Sequence, residues 1–194
     1  MLRSLIASLA GAALLSAAGA AQSAVLVYTT SMTGANEVPP TGSPAFGLTS
    51  VTVDDIANTM MVNVTFTGLI TPAAAAHIHC CTPVGTNVGV AVGFTGFPAA
   101  TSGTYNNTFD LLSSSIYTSG FLTFGGGTAA GAEAALLAGL ASGHAYSNIH
   151  DSTFPGGEIR GFLTPVPEPG GWALMIAGFG LIGMALRRRG PLPA

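Results

Sequence analysis

Residues 46–67 read FGLTSVTVDDIANTMMVNVTFT. Leu48, Ser50 and Thr52 alternate with Thr49, Val51 and Val53. After Asp54-Asp55-Ile56-Ala57-Asn58, Met60, Val62, Val64 and Phe66 alternate with Met61, Asn63, Thr65 and Thr67. Side chains of a strand point alternately to opposite faces, so a period of two marks a strand with one buried face. The five residues between the runs form the hairpin connection. The same signals predict strands at Val25–Thr33, Ala76–Cys80, Val88–Phe94, Thr104–Leu111, His144–His150 and Glu158–Leu163, with Gly and Pro punctuating the gaps. One helix is predicted over Ala130–Ala141, with Leu136, Leu137 and Leu140 as its packing stripe and Gly143 as its stop. Many short strands and one inserted helix predict an all-β domain, an antiparallel sandwich or barrel.

Composition narrows the function. Charged residues make up 7% of 194, against roughly a quarter in an ordinary soluble protein. Nucleic-acid binding needs a basic density this chain lacks. Mean hydropathy is +0.56, which excludes the polar, charge-rich character of a disordered chain. Residues 25–164 carry one cationic side chain, Arg160, against seven acidic ones, and the chain has no lysine. A phosphate-cradling loop therefore lacks its lysine, and no serine sits in a Gly-x-Ser-x-Gly turn.

The ends read as addresses. Arg3, an apolar stretch from Leu5 to about Ala18 and small residues from Gly19 to Ala24 predict a signal peptide over 1–24, the alternative being an uncleaved anchor helix. At the other end, Pro167-Glu168-Pro169 precedes an uncharged apolar run over 170–186, followed by Arg187, Arg188 and Arg189. As a helix the run is about 26 Å long at 1.5 Å per residue. It is predicted as a transmembrane segment, with the arginines on the cytoplasmic side. The three-part tail over 165–194 resembles the PEP-CTERM sorting signal of Gram-negative bacteria. That resemblance implies handling by an exosortase after signal peptidase. It also implies transient residence in the inner membrane, then a home on the cell surface or in the exopolysaccharide matrix.

Between the signals, residues 25–164 form one domain. Gly34-Ala35-Asn36-Glu37-Val38-Pro39-Pro40, Ala76-His77-Ile78-His79, Tyr146-Ser147-Asn148-Ile149-His150 and Pro155-Gly156-Gly157-Glu158-Ile159-Arg160-Gly161 resemble, in order, the blocks of the CHRD domain. The resemblance implies an immunoglobulin-like β fold and extracellular placement, and no established activity.

His77 and His79 are two apart on a predicted strand and share a face, with Cα atoms about 6.5 Å apart. His150 lies on another strand, with Asn148 and Tyr146 on its side. Three imidazoles suit Zn or Cu, with water or a carboxylate from Glu37, Asp151 or Glu158 completing the set. The alternative is that the histidines hydrogen-bond within the domain. Glu158 and Arg160 are also two apart and form a candidate ion pair, with Glu37 and Asp151 as other partners for the arginine. Cys80 and Cys81, the only cysteines, have three readings: a vicinal disulfide, a bridge to another chain, or thiols that place Cys81 among the metal ligands.

No catalytic residue is assigned. The expectation is a non-enzymatic surface or matrix module, with exopolysaccharide or envelope proteins as partners. The alternative is a Cu- or Zn-binding extracellular protein, with redox activity, built on His77, His79 and His150.

Overall fold

The structure, a computed structural model, describes residues 25–167 and 169–188. The predicted signal peptide (1–24), Glu168 and Arg189 lie outside the described residues. Nine strands follow in chain order: β1 (Val25–Thr33), β2 (Phe46–Asp54), β3 (Thr59–Thr67), β4 (Ala73–Cys80), β5 (Val90–Gly93), β6 (Gly103–Asp110), β7 (Ala145–Asp151), β8 (Ile159–Phe162) and β9 (Thr164–Pro165). Helices α1 (Ser119–Phe124) and α2 (Ala129–Ala141) lie between β6 and β7, and α3 (Pro169–Arg188) follows β9.

All the strands belong to one antiparallel sheet in the order β5-β4-β7-β8-β1-β2-β3-β6, with β9 also pairing β1. The hairpin of residues 46–67 pairs without a slip from Phe46↔Thr67 to Asp54↔Thr59. Its buried side chains are those the alternation predicts: Val51, Val53, Met60, Val62, Val64 and Phe66. Fully burying a side chain of this size contributes about 1.5–3 kcal/mol.

The expected antiparallel sandwich or barrel takes the form of a single curled sheet, a half-barrel, and not of an immunoglobulin-like pair of packed sheets. Phe94, just after β5, stacks on Tyr105 of β6 with ring centroids 5.4 Å apart and lies 6.4 Å from Phe109. The two ends of the strand order thus meet through side chains rather than through a ladder. The free edge of β5 is taken instead by the segment before α1: Tyr117 bridges Val92, and the Thr118 amide donates to Ala91 O. Inside the curl lie Met32, Val51, Met60, Ile78, Ile149 and Ile159, each fully buried. Thr49 of β2 donates across this interior to Ser147 of β7 at 2.9 Å.

There are two inserted helices, not one. Thr118 caps α1 by accepting from the Phe121 amide, and Thr128 caps α2 by accepting from Gly131. Helix α2 buries Ala132, Leu136, Gly139 and Leu140. The predicted transmembrane segment 170–186 is helical as part of α3. Among the described residues, however, no helix is long and apolar enough to cross a membrane. In the described part of α3, Ile176, Phe179, Leu181, Ile182 and Met184 are exposed.

Candidate metal centre

Strands β4 and β7 pair so that His77 faces Asn148 and His79 faces Tyr146, while His150 faces Ala75. Ala76 and Ile78 point into the core, so His77 and His79 point out of the curl, as do Tyr146, Asn148 and His150. The three histidines meet there. One ligand nitrogen from each lies within 4.8 Å of the others, and the ring centroids are 5.1–5.9 Å apart.

This outer face is covered by loops, which decides the state of the imidazoles. His79 Nδ1 lies 2.8 Å from Val88 O, in the β4–β5 loop. His150 Nδ1 lies 3.0 Å from Pro155 O, in the β7–β8 loop. A carbonyl only accepts, so each Nδ1 carries the proton and each Nε2 keeps its lone pair. Those two Nε2 atoms, together with His77 Nδ1, are buried without any protein partner. Burial and the neighbouring imidazoles hold His77 down at about 4. Burial, with smaller effects from His150 and Arg160, does the same for His79. Burial also lowers His150. The cluster is therefore three neutral imidazoles near pH 7.

Beside it lies a buried polar network. The His79 ring stacks on Tyr146 at 4.7 Å and 3°, and the Arg160 guanidinium lies 4.8 Å from the centre of the Tyr146 ring. Arg160, 1% exposed, donates to Asn36 O at 2.7 Å and Asn87 Oδ1 at 2.8 Å. Its charge partner is Glu37, at 3.5 Å. Asn148 donates to Glu37 at 2.5 Å. Burial outweighs the attraction of Arg160 and the hydrogen bonds, and raises Glu37 to about 7. Gly157, at φ +126°, passes so close to Asn148 and Glu37 that a Cβ there would collide with both.

The candidate pair Glu158–Arg160 is corrected. Glu158 precedes β8 rather than lying on it, so the same-face argument fails. It accepts from Ser43 Oγ at 2.5 Å and the Ile70 amide at 3.0 Å. Burial and the nearby Asp151 raise it, while Asp151 is held low by Thr71 and the Phe154 amide. Glu37, Asp151 and Glu158 are thus engaged elsewhere. Among the described residues the groups that converge for a metal are the three histidines alone. A disulfide joins Cys80 to Cys81 across a cis peptide bond. It leaves no thiolate, so Cys81 as a metal ligand is corrected too. In the sorting tail, Pro167 is exposed, Pro169 opens α3, Arg187 is exposed and Arg188 ends the helix.

Sequence reasoning missed the carbonyls of Val88 and Pro155, the amide of Asn87, and α1. Backbone carbonyls leave no compositional trace. Helix α1 has six residues, too few to show periodicity, and its one signal was Thr118 as a cap.

Neither the curated proteins nor the solved structures include a match to this chain. Residues 165–189 match the PEP-CTERM protein-sorting motif, which marks exosortase processing and export toward the cell surface in Gram-negative bacteria. Residues 28–163 match the CHRD domain over β1 to β8, and the chain belongs to that family.

Proposed function

We propose that this is an exported, non-enzymatic binding module of the cell surface or exopolysaccharide matrix that holds one Zn or Cu ion on His77, His79 and His150. Two observations carry the metal: the three histidines each bring a ligand nitrogen within 4.8 Å of the others, and each also has one ring nitrogen buried with no protein partner. A buried nitrogen lone pair without a donor is costly. A cation satisfies all three at once. Carbonyls on the far nitrogens of His79 and His150 set the tautomer, as second-shell groups do at metal centres. His77 and His150 are half-buried, which leaves the fourth position to water or an outside ligand.

Metal analysis of the full chain in detergent, with melting curves on adding Zn or Cu, tests this. One equivalent bound and a raised Tm are expected. No metal and an unchanged Tm overturn it. The sorting tail supports the location, with the tail engaging the inner membrane in transit. Replacing Pro167-Glu168-Pro169 by alanines is expected to hold the protein at the inner membrane, and unchanged release to the surface refutes that route.

A further inference from the structure

The outer face continues past the histidines into a groove of about 1050 Å³ over β1, β2 and β3. Its floor is a row of uncharged polar side chains set by register: Thr164↔Thr29, Thr29↔Ser50 and Ser50↔Asn63, with Asn106 opposite Asn63 just beyond the groove. Directly opposed residues share a face, and Asn106 donates to Asn63 along the row. Neighbouring strands are about 4.8 Å apart, so four strands spread these groups over about 14 Å. Beside the row lie Leu48, half exposed on a central strand, and Phe162. Val38 and Val84 rise from the loops as walls.

This lining specifies its ligand. Hydroxyls and amides both donate and accept, as sugar hydroxyls do, and the apolar side chains suit the C–H faces of sugar rings. An extended glycan advances by a step comparable to the strand spacing for each unit. The one carboxylate in the lining, Glu37, is turned to Arg160 and Asn148. The domain's single cation, Arg160, is buried. An acidic polymer would find no counter-charge here, and the excess of acidic over basic groups in residues 25–164 would repel it.

We infer that this groove binds a neutral glycan chain lying across the strands, and that it discriminates against acidic glycans. The inference deepens the surface or matrix role proposed above and is independent of the metal. The test is affinity electrophoresis of the full chain in detergent, through gels containing dextran, galactomannan, hydroxyethylcellulose or alginate. Retardation by at least one neutral polymer and none by alginate is expected. Ser50→Trp on the floor and Val84→Trp on the wall should each weaken retardation at least tenfold, while Leu112→Trp, on a distant exposed loop, leaves it intact. Circular dichroism checks that each variant folds, and Val84→Trp keeps the test open if Ser50→Trp does not. No retardation by any neutral polymer, folded groove variants retarded as strongly as the wild type, or stronger retardation by alginate overturns the inference. A protein that reaches the surface and loads metal yet migrates unretarded overturns the groove alone.

Discussion

The two halves of the sheet treat their outer faces in opposite ways. Along β2 and β3 the pattern is ordinary: Val51, Val53, Met60 and Val62 are buried within the curl, while Leu48 and Met61 face out and are exposed. Along β7 six of seven residues are buried, on both faces. Loops cover the outer face there, and beneath them lie His79, Asn148, Arg160 and Glu37. Burying polar groups costs stability unless each finds a partner. Arg160 Nε finds its partner, whereas Arg160 Nη2, Asn148 Oδ1 and one nitrogen on each of the three imidazoles do not. The histidines differ from the other two in that their ligand nitrogens converge within 4.8 Å.

The largest test of this contrast is Arg160→Ala against Asn63→Ala. Removing the arginine strands Asn87, Asn36 O and Glu37 in a buried site, and is expected to cost about 3–5 kcal/mol in denaturant unfolding. Asn63 on the open half should cost less than about 0.5 kcal/mol. Glu37→Gln should fall well below Arg160→Ala, because burial already brings the carboxyl to about 7 and its neutral form is populated at neutral pH.

The next effect belongs to the imidazoles. With free metal at a hundred times its Kd, the native chain should gain about 2.7 kcal/mol, read as a rise in Tm. In His79→Ala the rise should vanish, with metal affinity down by at least a hundredfold. A Tm rise that persists in this variant places the ion elsewhere.

How far the sequence showed this depends on the kind of contact. Period-two alternation is enforced by burial on one face, so β1, β2 and β3 were legible almost to the residue, Val25–Thr33 included. The meeting of β5 and β6 was not, because the curl is set by long-range aromatic packing of Phe94 on Tyr105 and leaves no local pattern. At the candidate site, the shared face of His77 and His79 followed from strand geometry. The nearness of His150 depended on the register of β7 against β4, where a bulge between Ala73 and Ala75 intervenes. Arg160 was legible as a paired cation, but its partner Glu37 lies 123 positions away. Glu158, two positions away, proved a poor guide because it stands before the strand.

A smaller effect is expected where the covered half meets α2. Gly139 packs against the disulfide, and a Cβ there would overlap Cys80 Sγ and Cys81 Sγ. Gly139→Ala should therefore destabilise by about 1–3 kcal/mol through overpacking. Gly178→Ala in α3, with nothing within 4 Å of its added Cβ, should not lower stability.

The smallest effects are in pH, and they separate the two kinds of buried group by sign. His77 and His79 sit at about 4 in the folded chain, against about 6.5 when unfolded. As pH falls from about 6.5 towards 4, the unfolded chain takes up protons that the folded chain refuses, so metal-free stability falls. Glu37 acts oppositely. Its folded value of about 7 exceeds the unfolded value of about 4.3, so its contribution is complete below about 4.3 and is lost as pH rises through 7. The metal-free wild type should thus show a shallow profile in which the two trends offset. Glu37→Gln should expose the histidine trend alone, steeper on the acid side. Metal affinity should fall less between about pH 7.5 and 5.5 than at imidazoles of ordinary pKa, because burial lowers all three and leaves fewer protons to compete with the ion. A steep loss of affinity centred on pH 6.5 would mean that the histidines are as exposed as side chains on the open half of the sheet, and the contrast between the halves would fail at the point where it matters most.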